Sequence, residues 1–393
     1  MGKQSAKTLV CFSCALLLLV MTQKSIPSAA GFARESVGTC SMAAPPQTAA
    51  ADNSAATLVT LHVKDAPAAD VYGEIARQAN LHIAPVSDRP WPALPNVTID
   101  VEQQPLWQVM HRLAEQTGLA PAPFKGGIYL SVRPGWAKAP SYYNGGVLFV
   151  AYQANINQSV NLTDQSQNQG GIALYIYANV DPKIDILQVL SLHVDEALDE
   201  NGKLLVPKQD WGGEIGSIAG TLHLGAQFLY SPDIGKRIAR FRGSFRFALC
   251  TRREAWEVND IRSAKDVVHK MALGTYIVKS VENPATDATE YLVKIQIEGT
   301  ASPSSPLFSG EAISRSIRLV DAIGREYTSA GSGGMRMNGH LEWGITFRDA
   351  GNAGQKLGPP SKLIWQIPVE FKEIVVPVEL SDIPLPAFRT SGN

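Results

Sequence analysis

Apolar and polar positions in residues 59–119 form the same pattern twice, 38 residues apart. In each copy apolar residues first alternate with polar ones, which is the period of a half-buried strand. A proline follows, Pro67 and then Pro105, and beyond it apolar residues recur at helical spacing. Each helical stretch ends at a residue that tolerates the left-handed conformation, Asn80 and then Gly118. The pattern predicts two strand–helix units, with a proline in the first turn of each helix.

A further strand is predicted at 127–132, where Ile128, Leu130 and Val132 share one face. Together these elements predict a small α+β module at 57–133, built from two β-α-β repeats, which is long enough to fold on its own. We expect both repeats to join one sheet.

The two copies contain LHVKDAP at 61–67, RQANL at 77–81, VTIDV at 97–101 and EQTGL at 115–119. With these motifs the repeat resembles the secretin and TonB short N-terminal domain. It implies a periplasmic module that contacts another protein at the mouth of an outer-membrane channel. Nothing downstream resembles a receptor plug, a barrel or a secretin gate, so the channel itself is not implied.

From residue 147 onward, apolar positions alternate with a period of two almost throughout. Short strands separated by turn signals are typical of antiparallel sandwiches. A zone of mixed polarity after Arg252 divides this region into two sandwich-like domains, 147–252 and 253–388. Two stretches rich in Ser, Pro and Gly are predicted to be loops, 300–310 and 329–339.

The predicted fold class is therefore multidomain and mainly β, with the α+β module followed by two antiparallel β-sandwich-like domains. A stretch dense in Pro and Gly at 134–146 is predicted to link the module to the first sandwich. A short N-terminal module before paired β-domains resembles exported bacterial proteins of no assigned activity. This resemblance implies a location and no particular chemistry.

The beginning of the chain predicts export. Lys3 and Lys7 precede an apolar run at 9–21, and small residues lead up to Ala30. This is typical of a secretory signal peptide, removed near Ala30, and an uncleaved anchor is the alternative. Residues 31–56 are rich in Ala, Ser and Pro and are predicted to be a disordered linker. We expect a periplasmic or envelope-associated protein with no transmembrane segment in its mature chain.

Composition and motifs limit the chemistry. The balance of 35 basic and 36 acidic side chains argues against nucleic acid as a partner. We find no G-x-S-x-G elbow, no pair of histidines at metal-ligand spacing, and no C-x-x-C in the mature chain. The sequence therefore predicts no catalytic residues, no metal and no cofactor. The acidic stretch 195–202 is attributed to turn chemistry rather than to calcium.

Two sets of residues are candidates for binding. The first set is aromatic: Trp91, Trp136, Tyr142, Tyr143 and Trp211. Those in the 134–146 linker form either a hydrophobic seam between domains or part of a ligand-facing patch. The second set shares one strand face: Arg240, Arg242 and Arg246. These arginines either meet an anionic partner or decorate a solvated sheet face.

These observations favour a non-enzymatic exported envelope protein. Its N-terminal module is expected to contact an envelope protein, and its β-domains to be structural or interaction units. The alternative is a sandwich protein that binds a carbohydrate or an anionic polymer of the cell envelope. A hydrolase comes third.

Overall fold

The computed structural model describes residues 56–86, 90–124, 127–159, 162–164, 169–218, 221–283, 290–299, 305–337, 339–349 and 356–386. The predicted signal peptide, its cleavage site and nearly all of the 31–56 linker lie outside the described residues.

The N-terminal module contains two helices and five strands, in the order that the repeat predicts. The first repeat is β1 (Leu58–Pro67), α1 (Ala68–Ala79) and β2 (His82–Pro85). The second is β3 (Asn96–Pro105), α2 (Leu106–Thr117) and β4 (Leu119–Phe124), followed by β5 (Gly127–Val132).

Single residues determine where α1 and α2 begin and end. Asn80 and Gly118 both take the left-handed conformation, with φ of 51° and 70°, and stop α1 and α2 as predicted. Pro67 and Pro105 precede their helices instead of occupying the first turn, because both keep an extended ψ. Ile75 and Leu113, equivalent in the two repeats, are fully buried.

The expectation of one sheet in the module is wrong. β1 pairs with β3 in a two-stranded antiparallel sheet, and β2, β5 and β4 form a separate three-stranded sheet. Within the latter, β2 is parallel to β5 and β4 is antiparallel to it. The physical reason is that alternation fixes which face of a strand is buried and leaves its hydrogen-bonding partner open.

The rest of the described chain is two copies of a seven-stranded unit. The first β unit consists of β6 (Ser141–Asn144), β7 (Val147–Ser159), β8 (Gln169–Val180), β9 (Ile186–Asp199), β10 (Pro207–Ile218), β11 (Thr221–Leu229) and β12 (Arg237–Asn259). The second β unit consists of β13 (Lys265–Met271), β14 (Gly274–Glu282), β15 (Glu290–Gly299), β16 (Ile317–Asp321), β17 (Thr328–Met337), β18 (His340–Arg348) and β19 (Pro360–Pro384), with a short helix, α3 (Gly310–Ser316), before β16.

Strand order and register identify the repeat. The five-stranded sheets run β10-β11-β8-β7-β6 in the first unit and β17-β18-β15-β14-β13 in the second. His223 pairs with Tyr177 in the first sheet, as Glu342 pairs with Gln296 at the corresponding place in the second. A register shift also occurs between β7 and β8 and between their counterparts β14 and β15. The two units therefore have the same topology, and the chain is mainly β and antiparallel, as predicted.

The two β units share a third sheet, β16-β19-β12-β9. Its central strands β12 and β19 are counterparts in the two units. They pair antiparallel, and Ala248 and Glu373 form the middle pair of their register. The boundary expected between Arg252 and Arg253 falls inside β12, because this strand serves both cores. Its Phe245 belongs to the core of the first unit and its Val258 to the core of the second.

Both stretches predicted to be loops contain regular secondary structure in their described residues. Residues 329–339 contain most of β17, which pairs with β18 along its length although all ten of its residues are exposed. The glycines there do not prevent pairing, because an edge strand needs hydrogen bonds on one side only. In the 300–310 stretch, a 3-10 helix at Pro306–Phe308 precedes α3, which begins at Gly310.

The module is packed against the first β unit. Leu148 and Val150 of β7 point away from the sandwich core and belong to the core of the module. The N–H of Thr57 donates to Oδ2 of the buried Asp181 at 2.7 Å, and the Thr57 hydroxyl donates to Oδ1 at 3.2 Å. The 134–146 stretch, predicted to be a linker, contributes β6 to the first sheet. Thr48–Asn393 thus form one compact unit.

Candidate functional site

A cleft lies in the module, between the end of α2 and the chain that follows β5. Gly118 turns the chain out of α2, and Gly135, with φ of 92°, turns it into the short 3-10 helix Trp136–Lys138. The enclosed volume is about 340 Å³. The lining residues are Ala114, Glu115, Gly118, Leu119, Ala120, Arg133, Gly135, Trp136, Ala137 and Lys138.

The floor and the rim of this cleft differ in chemistry. Ala114, Leu119 and Ala120 give an apolar floor, and each of these side chains is buried. Arg133 and Lys138 are exposed at the rim and bring two positive charges against the single negative charge of Glu115. An apolar cavity edged by cations fits an apolar side chain next to a carboxylate.

His111 fixes one wall of the cleft. Its Nε2 donates to the carbonyl oxygen of Ala137 at 2.8 Å, and its Nδ1 is hydrogen-bonded to the Tyr143 hydroxyl. Its ring meets Trp136 edge-on, with 5.3 Å between ring centroids. Because a carbonyl oxygen only accepts, Nε2 is the donor in the contact with Ala137, and Nδ1 is left to pair with the Tyr143 hydroxyl. The wall is therefore held by a buried side chain of α2.

The structure separates the predicted aromatic candidates. Trp136 and Tyr143 pack against the core of the module, and Tyr142 packs against the core of the first β unit. These three side chains line the seam between the two cores, which is one of the two alternatives for the 134–146 stretch, and Trp136 also reaches the cleft. Trp91 stacks on Tyr72 with 5.5 Å between centroids, away from the cleft lining. The side chain of Trp211 lies outside the described residues.

The arginine candidates lie on one face of the shared sheet, and each contacts a carboxylate. Arg240 donates to Glu196 at 2.8 Å, and Arg242 lies 3.8 Å from the same side chain. Arg246 lies 3.6 Å from Glu373. Acidic residues of β9 and β19 thus alternate with arginines of β12. This arrangement is a solvated, charge-balanced face, which is the second of the two alternatives for these residues.

The other candidate chemistry in the sequence is metal binding and cysteine reactivity. Among the described residues, no group of three or more His, Cys, Asp and Glu side chains could hold a metal ion. Burial raises the pKa of the Cys250 thiol to about 11, so little reactive thiolate forms at neutral pH. Cys40, the other cysteine of the predicted mature chain, lies outside the described residues.

The sequence reasoning missed an aromatic cluster on the first β unit. Tyr152 and Tyr177 stack with 3.7 Å between ring centroids, and His223 meets Tyr177 edge-on at 4.8 Å. Tyr175 lies 6.1 Å from Tyr152. Burial lowers the pKa of His223 below its ordinary value. The sequence does contain a signal for this cluster. Tyr175 and Tyr177 alternate with apolar residues and therefore share the polar face of β8.

Fold and cleft together define a mainly β protein with two repeated β units and an α+β module that carries an apolar, cation-edged cleft. No helix in the described part of the chain is long and apolar enough to cross a membrane. In comparisons with known proteins, no family model, no curated protein and no solved structure matches the chain.

Proposed function

We propose that the chain is a non-enzymatic exported envelope protein whose N-terminal module is a protein-contact domain. The carrying observation is the cleft beside α2, with its apolar floor and the exposed Arg133 and Lys138 at its rim. The β units serve as the scaffold that holds the module. The tandem strand–helix repeat, with left-handed residues at both helix ends, supports a module of the secretin and TonB short N-terminal type. The apolar run near the N-terminus supports export.

The cleft suits a short segment of a partner protein. Its volume of about 340 Å³ is at the small end for a ligand pocket, and it fits one large apolar side chain. The two cations at the rim favour an acidic residue next to that anchor, because charge-assisted hydrogen bonds to a carboxylate are stronger than neutral ones. The partner is therefore expected to present an apolar anchor flanked by Asp or Glu.

Reversing the rim charges tests this function. The mature chain with Arg133→Glu and Lys138→Glu is compared with wild type in pull-downs from envelope extracts. The matched control is Arg262→Glu with Lys265→Glu, since both residues are exposed, Arg262 in the 3-10 helix before β13 and Lys265 at the start of β13. We expect a partner that wild type and control retain and the cleft variant loses. An identical partner set for all three proteins would overturn the proposal.

Removing the whole module is a poorer experiment. Leu148 and Val150 of the first β unit are buried in the core of the module, and the deletion would expose them. A new apolar patch of this kind promotes non-specific binding. The rim substitutions leave that core in place.

The anionic-polymer alternative gains no support from the arginines, because Arg240, Arg242 and Arg246 already face Glu196 and Glu373. The carbohydrate alternative has a separate observation in its favour, the aromatic cluster on the first β unit.

A further inference from the structure

The five-stranded sheet of the first β unit has an outer face, turned away from the sandwich core. On this face, cross-strand register places Gln153 beside Tyr175 and Asn155 beside Ala173, with Gln227 on the far side of Ala173. The aromatic residues of the face are Tyr152, Tyr175, Tyr177 and His223. The described side chains of β7, β8 and β11 on this face are all uncharged.

The face is partly open to solvent. Gln153 and Asn157 are exposed, and Tyr152, Tyr175 and His223 are half-buried. The module covers one end, where Tyr177 packs against its core. From that end the strand β8 runs about 20 Å to Gly171, at about 3.3 Å per residue. A shallow hollow of about 180 Å³ lies there.

The hollow at the far end is also polar. Asn157 and Gln227 line it together with Lys208 of β10. At the end of the face opposite to the module, Lys208 is the single cation among the described residues that line the hollow.

The second β unit provides an internal comparison. Because both units share topology and the register shift in β7 and β14, each position on the first face has a counterpart on the second. The four counterparts of Tyr152, Tyr175, Tyr177 and His223 are Lys279, Lys294, Gln296 and Glu342. Lys294 pairs with Glu282 at 2.8 Å, and Lys279 pairs with Asp266. The same topology therefore accommodates charged residues at these positions and does not require aromatic ones.

We propose that the outer face of the first β unit binds an uncharged saccharide chain. Aromatic rings present an electron-rich face on which the C–H groups of a sugar ring stack. Side-chain amides both donate and accept hydrogen bonds, which is what sugar hydroxyls require. Charged polymers are disfavoured because the described side chains of the face include no row of cations or carboxylates to pair with them. The site is separate from the cleft of the module, so its success or failure is independent of the proposed protein contact.

The test is affinity electrophoresis and calorimetry of the mature chain with soluble polysaccharides. Neutral glucans, xylan and mannan form one arm, and alginate forms the charged arm. Tyr152→Ala with Tyr175→Ala removes two rings and leaves Tyr177, which contacts the module. The matched control is Lys279→Ala with Lys294→Ala, at the counterpart positions of the second unit.

We expect wild type and control to bind at least one neutral polysaccharide. The tyrosine variant should bind it about tenfold more weakly or worse, because two of the rings that stack on the sugar are gone. Gln153→Ala with Asn155→Ala changes partly exposed amides only and gives a second variant if the tyrosine variant unfolds. No binding to any neutral polysaccharide, binding to alginate alone, or unchanged affinity in both variants would overturn the proposal.

Discussion

Asp199 and Asp321 show how one side chain organises a turn in each β unit. Oδ1 of Asp199 accepts the N–H groups of Asn201 and Lys203, and its Oδ2 accepts that of Gly235. The counterpart Asp321 does the same with Ile323, Arg325 and Gly358. Both carboxylates are buried, and a left-handed glycine completes each turn. Within the acidic stretch 195–202, Asp199 thus stabilises the turn that follows β9.

These contacts make an acid-stability prediction for Asp199. Burial alone would raise the pKa of Asp199, but the N–H groups of Lys203, Gly235 and Asn201 outweigh it and hold the pKa below its ordinary value. A depressed folded pKa adds stability above the unfolded value of about 3.9, and this stability is lost as pH falls through the folded pKa.

Asp199→Asn should therefore lower stability at pH 7 by about 1–3 kcal/mol, because its N–H partners lose a charged acceptor. The difference from wild type should shrink as pH falls below about 4. Melting temperatures between pH 7 and pH 3 measure it. A difference that stays constant with pH would contradict this role.

At the scale of residues, the sequence correctly predicts structural features that depend on a single residue. Asn80 and Gly118 end their helices because asparagine and glycine tolerate a positive φ, and this is visible in the sequence. The aromatic cluster was missed because His223 reaches Tyr177 only through the pairing of β11 with β8. That pairing joins distant parts of the chain, and single-strand alternation does not specify it.

At the scale of elements, the helices of the module depend on a core that they share with β7. Leu113 and Ile75 are fully buried in this core, beside Leu148 and Val150. The sequence suggests that the Pro- and Gly-rich 134–146 stretch separates two folding units. The packing instead places aromatic side chains of that stretch in the seam.

Truncating Leu113→Ala should cost about 2–5 kcal/mol, as buried Leu→Ala changes do. Because the core is shared, we expect the transition of the first β unit to shift together with that of the module. Calorimetry of the mature chain measures both, and Leu204→Ala, at an exposed position, is the control. A lower transition for the module alone, with the β transition unchanged, would show that the two parts unfold separately.

At the scale of the whole molecule, the duplication of the β units could not be read from the sequence. The repeated features are strand order, register and the Asp turn, whereas the outer faces differ in chemistry, as in Tyr175 against Lys294. Period-two patterning predicted two antiparallel units. The period-two pattern could not show that β12 and β19 contribute to both β units. One long strand and two short strands in succession alternate in the same way.

The whole molecule presents two separate surfaces. The cleft beside α2 is apolar and edged by cations, and on the outer face of the first β unit the described side chains of β7, β8 and β11 are uncharged and include three tyrosines. The two proposals assign a protein contact to the first surface and a saccharide contact to the second. The arginines of β12 belong to neither surface, because carboxylates of β9 and β19 balance them.

Site-directed photo-cross-linking tests the protein contact most directly. A photoreactive amino acid is placed at position 138, on the rim of the cleft, and separately at position 265, which is equally exposed in the second β unit. In intact cells we expect a discrete protein adduct from position 138 that is lost with Arg133→Glu, and none from position 265. The same adducts from both positions, or no protein adduct from position 138, would contradict a partner in the cleft.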